Sequence, residues 1–348
     1  MDQAVSALVI GDCHFRSKYI KTVDEFIKQT LEVAAAKRPD IIIVLGDVLH
    51  DHETTKESVH SRACSWFEAL AAISYTVVLV GNHDRPSNQH FLTENHFFNG
   101  IKGKSPNLII VDKCHSFEVS KADHAHRFVC VPYVPPGRFR EALETLKTSI
   151  EERVPSAIFG HQEMKGAQMG AIKSEHGDEW PLDAPPLISG HIHEFQELQP
   201  NMLYVGTPIQ TSFAEKDDKG IYMFHFAHGQ KAMPKPIRIR LKLRVKQSIE
   251  ISPKDFMASK FEMPRESTDL RIVIKGPQAD VEACKQTKLY RDLANQPHIK
   301  IVLRPILDLR LTQGTVLPQK SFMKSLYSEV SGEESLRKLF VEILGDIQ

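Results

Sequence analysis

Apolar positions in the first hundred residues fall into two alternating kinds of pattern. Continuous apolar runs at about 4–10, 40–45 and 77–80 are short and end in glycine turns, which is typical of buried strands. Between them, apolar residues recur at helical spacing over 20–36 and about 56–73. The order strand, helix, strand, helix, strand predicts an α/β sheet covered by helices.

Beyond residue 100 the pattern becomes richer in strands. Apolar runs predict strands at 108–111, 117–119, 127–131, 157–159, 187–189, 203–205 and 220–226, with a helix near 137–153. The polar segment 162–186 is interpreted as a surface excursion. We therefore expect a first domain, residues 1–230, of the α/β class, with helices covering its strands.

The rest of the chain predicts two further parts. Residues 231–315 are expected to form a small, basic α+β domain, with a helix near 279–294 between strands at 270–275 and 299–303. Residues 316–348 carry narrow apolar stripes that predict two short amphipathic helices. These helices either pack on their own domain or dock to a partner.

Composition excludes several classes of protein. A chain of 348 residues with 41% hydrophobic and 25% charged residues is typical of a folded protein with two or three domains. No apolar stretch approaches the ~18 residues of a membrane span, and the N-terminus lacks the pattern of a secretory signal. Five scattered cysteines contain no CxxC pair. We expect a cytoplasmic protein that is neither secreted nor bound to a membrane.

Charge is distributed unevenly although the formal net charge is zero. Residues 1–230 carry 22 Lys and Arg against 30 Asp and Glu, whereas residues 231–348 carry 22 against 14. The second part would meet a polyanion, and the first would hold cations.

Polar side chains with metal-binding potential follow five of the predicted strands. They are Asp12, His14, Asp47, Asn82, His83, Asp84, His161, His191 and His193. Imidazole and carboxylate groups without thiolates suit manganese, iron or zinc. The set is too large for one ion but suits two, and two cations ~3.5–4 Å apart clamp the in-line displacement at a phosphorus atom.

These motifs resemble those of the calcineurin-like metallophosphoesterases, in the same order, and the resemblance implies a two-sheet sandwich flanked by helices. They read Asp12-x-His14, Gly46-Asp47, Gly81-Asn82-His83-Asp84, Gly160-His161 and Gly190-His191-x-His193. The resemblance implies that Asp12, His14 and His193 hold one ion, that Asn82, His161 and His191 hold the second, and that Asp47 bridges them. It also implies that His83 stabilises the transition state, with Asp84 orienting its ring.

A narrower resemblance is to the SbcD-type nuclease subunits of double-strand-break repair complexes, including phage recombination nucleases. It rests on the run Tyr204-Val205-Gly206-Thr207-Pro208 through Glu215, on Gly160-His161-Gln162-Glu163, and on the order of the domains. It implies a DNA exonuclease and endonuclease with two divalent ions, manganese first and magnesium, iron or zinc as alternatives. It also implies a homodimer, an SbcC-like coiled-coil ATPase partner, and a nucleoid-associated place in a bacterial or phage-infected cell.

Two surface features remain open. A strand over 237–246 would carry one wholly basic face, which is either a solvated edge or a DNA-backbone contact. Its basic residues are Arg238, Arg240, Lys242, Arg244 and Lys246. Four apolar residues after the third motif belong either to the core or to a homodimer interface: Phe91, Leu92, Phe97 and Phe98.

Two other functions fit part of the pattern. The same metal site could hydrolyse small phosphomonoesters or cyclic nucleotides, which would need no basic C-terminal part. A scaffold that only binds partners is the third alternative, but it would not require Asp47 or the pair His83 and Asp84.

Overall fold

The structure is a computed structural model that describes residues 3–52, 54–170, 172–262 and 267–306. The amphipathic helices predicted for residues 316–348 lie outside the described residues. The described chain divides into two compact units. The first contains residues 3–247 with 267–269, and the second contains 248–262 and 270–306.

The first unit alternates strands and helices along much of its length. In chain order its elements are β1 (Val5–Ile10), α1 (Ile20–Lys37), β2 (Ile41–Val44), α2 (Glu57–Ala71), β3 (Tyr75–Leu79), β4 (Leu108–Val111), β5 (His115–Lys121), β6 (His124–Val131), α3 (Phe139–Glu144), β7 (Ala157–His161), β8 (Gln168–Met169), β9 (Ile172–Lys173), β10 (Leu187–Gly190), β11 (Gln196–Gln199), β12 (Met202–Tyr204), β13 (Ile221–Phe226) and β14 (Ile237–Ile239).

Two six-stranded sheets organise this unit. The first has the order β14-β13-β1-β2-β3-β4, and the second has the order β11-β12-β10-β7-β6-β5. Strands β1 to β4 are mutually parallel, and so are β6, β7, β10 and β12. The predicted two-sheet α/β sandwich flanked by helices is confirmed. In the described part of the polar excursion at 162–186, the regular elements are the two-residue strands of the β8–β9 hairpin.

The central strands are apolar on both faces because each face meets a different core. In β2, Ile41 and Ile43 point into the core between the sheets, while Ile42 and Val44 pack on the side that holds Phe26 of α1. All four β2 side chains are fully buried. A third core lies on the far side of the second sheet, against α3. This layering explains why the strands read as continuous apolar runs rather than alternating ones.

The second unit has a small sheet and three short helices. Its elements are β15 (Val245–Ile251), α4 (Pro253–Met257), β16 (Thr268–Pro277), α5 (Gln278–Lys285), α6 (Lys288–Ala294) and β17 (Ile299–Ile306). The strands form a sheet in the order β15-β16-β17. The single helix predicted near 279–294 is wrong: Thr287 accepts a hydrogen bond from the Tyr290 N–H (3.1 Å) and starts a new helix there.

The basic segment also differs from its prediction. Only Ile237–Ile239 forms a strand before β15, so a continuous strand over 237–246 is wrong. Ile239, Leu241 and Leu243 do pack against the helix-side core of the first unit, whereas Ile237 is exposed. The first compact unit therefore continues beyond residue 230, where composition placed the end of the first domain.

Among the described residues no helix combines the length and the apolar character needed to span a bilayer.

Substitution of Phe15 tests whether its packing stabilises the turn after β1. Its side chain is 1% exposed and its ring lies 5.8 Å from Phe26 and 5.6 Å from Trp66. Phe15→Ala should lower the free energy of unfolding by about 3–5 kcal/mol, through lost burial and an unfilled cavity. Both tryptophans of the chain, Trp66 and Trp180, lie in the first unit, so denaturation followed by tryptophan fluorescence reports on it.

The control for this measurement is Leu182→Ala, since Leu182 is 71% exposed and its loss should change stability by less than about 0.5 kcal/mol. Equal effects of the two substitutions would contradict the packing described for Phe15.

Candidate metal centre

The five predicted motifs meet at one edge of the first unit. Asp12 and His14 follow β1, Asp47 follows β2, Asn82 follows β3, and His161 ends β7. His191 and His193 follow β10. Because the carboxyl ends of parallel strands point the same way, both sheets deliver their turns to the same place.

The predicted ligands form two groups. Asp12, His14 and His193 offer ligand atoms within 4.8 Å of one another, and so do Asp47, His161 and His191. In the first group the Nε2 atoms of His14 and His193 are 3.0 Å apart. The structure thus brings six of the seven predicted ligands into two clusters.

Asn82 and Asp47 connect these clusters. Asn82 Oδ1 lies 3.1 Å from His161 Nε2 and 2.9 Å from His191 Nδ1, which places the seventh predicted ligand in the second cluster. Asp47 faces both clusters: its Oδ2 is 3.8 Å from His14 Nε2, and its Oδ1 is 3.4 Å from His161 Nε2. A carboxylate in this position can be shared between two cations.

Hydrogen bonding at His161 fits a cation. Its Nδ1 donates to the Leu45 carbonyl (2.7 Å), so the ring in its neutral form presents the Nε2 lone pair to the oxygens of Asn82 and Asp47. Within the described residues Asp12 Oδ1 is also buried without a hydrogen-bond partner, while Oδ2 accepts from the His191 N–H (2.8 Å). Converging acceptors of this kind, with nitrogen and oxygen but no sulfur, fit divalent first-row metals.

The protonation of these buried groups follows from their neighbours. Burial lowers the pKa of His14 well below its usual range and that of His191 to about 3, which leaves both rings neutral and their lone pairs available. Burial raises the pKa of Asp12 to about 7. Burial alone would lower the pKa of His161, but Asp47 and Asp12 raise it to about 9. Protons on Asp12 and His161 would partly offset the buried negative charge before a cation binds.

Two glycines allow the carboxylates to reach the site. A Cβ on Gly81 would lie 2.2 Å from Asp47 Oδ1, and one on Gly190 would lie 2.4 Å from Asp12 Oδ1. Any larger residue at either position would collide with a carboxylate oxygen of the predicted ligand set.

Backbone strain collects at the same site. His14, Asp47 and His191 have φ values of 45°, 47° and 82°, in the left-handed region that such residues seldom adopt. Strain of this kind persists only where the surrounding structure enforces it, and it is common at functional sites.

His83 lies at the rim of the site, but its ring is not oriented as the resemblance implied. Its Nδ1 donates to the His50 carbonyl (2.6 Å). The Asp84 carboxylate instead accepts from the Leu49 N–H and the Gly81 N–H, both at 3.0 Å. Asp84 therefore ties the second motif to the third, because its buried oxygens satisfy two backbone donors.

Two histidines near the site were not predicted from the sequence. The His52 ring stacks on His83, with centroids 4.1 Å apart, and His50 Nδ1 lies 3.4 Å from His14 Nδ1. Both follow Asp47 on one turn, at the third and fifth positions after it. This closeness to Asp47 in the sequence could have predicted them, because a turn that places Asp47 in the site also places the next few residues near it.

An aromatic residue also borders the second cluster. The centroid of the Tyr133 ring lies 5.7 Å from that of the His191 ring. The Arg85 guanidinium lies 4.6 Å from the centroid of the Tyr133 ring, over its face. Arg85 is 2% exposed. Sequence pattern offered no signal for Tyr133, which follows β6 without a motif.

The predicted basic face divides into exposed residues and residues that are buried or partly buried. Lys246 is buried, not exposed, and its Nζ donates to the Gln210 carbonyl (2.6 Å). Arg244 pairs with Asp269 (3.0 Å), and Arg240 pairs with Asp217 (3.1 Å) while remaining exposed. Arg238 and Lys242 are exposed as well. A wholly basic solvent face is thus wrong, because the strand does not continue through 240–244 and Lys246 is buried.

Of the four apolar residues after the third motif, Phe98 is fully buried in the core. The other three are half-buried, and their part in a homodimer stays a prediction.

Comparison with known proteins gives a consistent result. Residues 5–195 match the family model described as "Calcineurin-like phosphoesterase". The chain is 35% identical over 283 residues to "Putative phosphoesterase 244L" of Invertebrate iridescent virus 6, covering 81% of this chain and 98% of that protein. It is 32% identical over 349 residues to "Putative phosphoesterase 078R" of Invertebrate iridescent virus 3, covering 97% and 96%.

Among solved structures, "GAP50 the anchor in the inner membrane complex of Plasmodium" aligns with a TM-score of 0.42 at 11% identity, over 68% of this chain and 89% of that one. A likeness at this level carries no argument about function.

Removal of the Asp84 carboxylate tests whether it stabilises the fold by accepting hydrogen bonds from the Leu49 and Gly81 N–H groups. Asp84→Ala leaves two buried N–H groups without acceptors, each costing about 1–3 kcal/mol, so the unfolding free energy should fall by at least about 2 kcal/mol. Asp84→Asn retains one acceptor and should cost less. The measurement is again tryptophan fluorescence in denaturant, with exposed Asp51→Ala as the control. Unchanged stability in Asp84→Ala would contradict the tying role.

Proposed function

Because the chain belongs to the calcineurin-like phosphoesterase family, we propose that it is a metal-dependent DNA nuclease that hydrolyses phosphodiester bonds as an exonuclease and endonuclease. The observation that carries the proposal is the meeting of two donor clusters around Asp47. Such a pair of clusters suits the displacement of an oxygen at phosphorus.

In this proposal Asp12, His14 and His193 hold one divalent ion, Asn82, His161 and His191 hold the other, and Asp47 is shared. The nitrogen and oxygen donors suit manganese, iron or zinc, and the resemblance to SbcD-type nucleases makes manganese the first expectation. When bound, the two ions supply Lewis acidity to the phosphoryl oxygens and lower the pKa of water. The protein contributes donor atoms that already lie close together, on turns that contain glycine.

His83 handles the proton of the leaving group in this proposal. Its Nδ1 is occupied by the His50 carbonyl, so Nε2 is the nitrogen left for substrate. Burial lowers the pKa of His83, and an approaching phosphodiester would favour the protonated ring by its negative charge. The ring can then donate its Nε2 proton to the leaving oxygen.

Support for a nucleic-acid substrate comes from the exposed basic segment. Arg240 and Lys242 line a cleft of about 360 Å³ together with Pro208, Ile209, Gln210, Asp217 and Lys219 of the loop after β12. That loop reaches the metal centre, because Lys219 donates to the carbonyl of His193 (2.7 Å). A basic surface beside a phosphodiesterase site would bind the backbone of a strand without reading its sequence, and binding would weaken steeply with salt.

The direct test incubates the full chain with Mn²⁺ and linear or single-stranded DNA. His83→Gln should reduce cleavage by about 10²–10⁴-fold, because proton transfer to the leaving oxygen is lost while the ligands are unchanged. His225→Gln is the matched control, since His225 is exposed on β13 and should leave cleavage unchanged. Absence of His83-dependent cleavage would sink the nuclease proposal.

Substitution of the exposed arginines distinguishes a DNA nuclease from an enzyme that acts on small esters. In the double variant Arg238→Gln and Arg240→Gln, hydrolysis of bis(p-nitrophenyl) phosphate should be unchanged, while DNA cleavage at moderate salt should fall. Equal activity of this variant and the wild-type chain on both substrates would favour a phosphoesterase for small phosphomonoesters or cyclic nucleotides.

We also propose that residues 316–348 dock to an SbcC-like coiled-coil ATPase and that the chain forms a homodimer. The support for docking is the narrow apolar stripe in the sequence that includes Phe322, Leu326 and Leu339. Leu339→Asp should abolish co-purification with such an ATPase and leave hydrolysis of the small ester unchanged. Retained co-purification in this variant would argue against docking through the stripe.

A further inference from the structure

A carboxylate outside the predicted ligand set lies against one of the site histidines. Glu215 Oε1 is 3.7 Å from Nδ1 of His193. On the opposite side of the same ring, Nε2 lies 3.0 Å from Nε2 of His14. The two nitrogens of His193 therefore face different surroundings: a carboxylate behind and the donor cluster in front.

Glu215 is held in place by three contacts. Its Oε2 accepts from the Thr211 N–H (3.1 Å) and pairs with Lys219 Nζ (3.1 Å), and its Oε1 accepts from the Thr211 hydroxyl. The side chain is 11% exposed. A carboxylate fixed from this many directions has little freedom to leave the ring.

Lys219 closes a loop of contacts around His193. Its Nζ donates to the carbonyl of His193 (2.7 Å) while it pairs with the carboxylate that faces the His193 ring. The lysine side chain is itself 9% exposed. Backbone and ring of one residue are therefore held by the two members of one ion pair.

This arrangement places the Glu215 carboxylate nearer to one ring nitrogen of His193 than to the other. A carboxylate behind Nδ1 favours the tautomer with hydrogen on Nδ1, which leaves the Nε2 lone pair directed at His14 and Asp12. A histidine that donates one N–H to a carboxylate is a better and better-oriented metal ligand through its other nitrogen.

We propose that Glu215, fixed by Lys219, is a positioning residue that sets the tautomer and orientation of His193 for the ion held with Asp12 and His14. The inference rests on the proposed function in that His193 must be a metal ligand. It concerns one ion only. In the second cluster the corresponding support for His161 is the Leu45 carbonyl, which no side-chain substitution removes.

The test titrates the metal-free full chain with Mn²⁺ and follows binding by calorimetry and by electron paramagnetic resonance. In Glu215→Gln, one of the two ions should bind about 10–100-fold more weakly, and the second should keep its wild-type affinity. At intermediate Mn²⁺ the signal of a spin-coupled pair should give way to that of isolated ions. Glu197→Gln, with the same charge change at an exposed residue, should match the wild type.

Lys219→Met provides a second variant that keeps the carboxylate and removes its support. It should weaken the same ion, and it replaces Glu215→Gln if that variant does not fold. Wild-type affinity for both ions in the folded variants would overturn the proposal, and so would equal weakening of both ions. A wild-type chain that takes up fewer than two ions would instead remove the proposed metal centre itself.

Discussion

Two buried carboxylates, Asp12 and Asp47, dominate the energetics of the first unit. They are 0% and 2% exposed, and an ionised group in such surroundings costs several kcal/mol unless it is paired. The imidazole of His161 lies between them, 3.9 Å from Asp12 Oδ1 and 3.4 Å from Asp47 Oδ1. Protons shared over these groups partly offset their charge. Divalent cations would replace those protons, so metal uptake should release them.

The surrounding sheets hold these charged groups in place. Parallel strands of two sheets end at one edge, and the strands themselves are buried on both faces by apolar packing. The turns after them take left-handed backbone conformations at His14, Asp47 and His191, which only a rigid frame maintains. The stability of the cores thus supports the strain at the site.

Three imidazole rings of the site have a nitrogen that faces a protein oxygen outside the predicted ligand set. His161 is fixed by the Leu45 carbonyl, His83 by the His50 carbonyl, and His193 by Glu215. Ring orientation and tautomer therefore depend on residues outside the five motifs. Asp84 belongs to the same supporting layer, because it bonds the backbone N–H groups of Leu49 and Gly81.

The sequence by itself determined the alternation of strands and helices in the first hundred residues and the positions of the candidate donors at the strand ends. Apolar runs that end in glycine, followed by Asp, Asn or His, have a local cause: the strand must be buried and its turn must let a donor approach closely. Such signals are contained within a few neighbouring residues. For that reason the elements around Asp12, Asp47, Asn82 and His161 could be predicted from pattern alone.

Only the tertiary structure decided which groups meet across long separations. Glu215 faces His193 because a loop returns to the site, Lys246 turns inward to the Gln210 carbonyl, and His52 stacks on His83 across two turns. No periodicity encodes these contacts, since each depends on the path of two distant segments. Hydrogen bonding and burial act between neighbours in space, and those neighbours exist only once both sheets have packed.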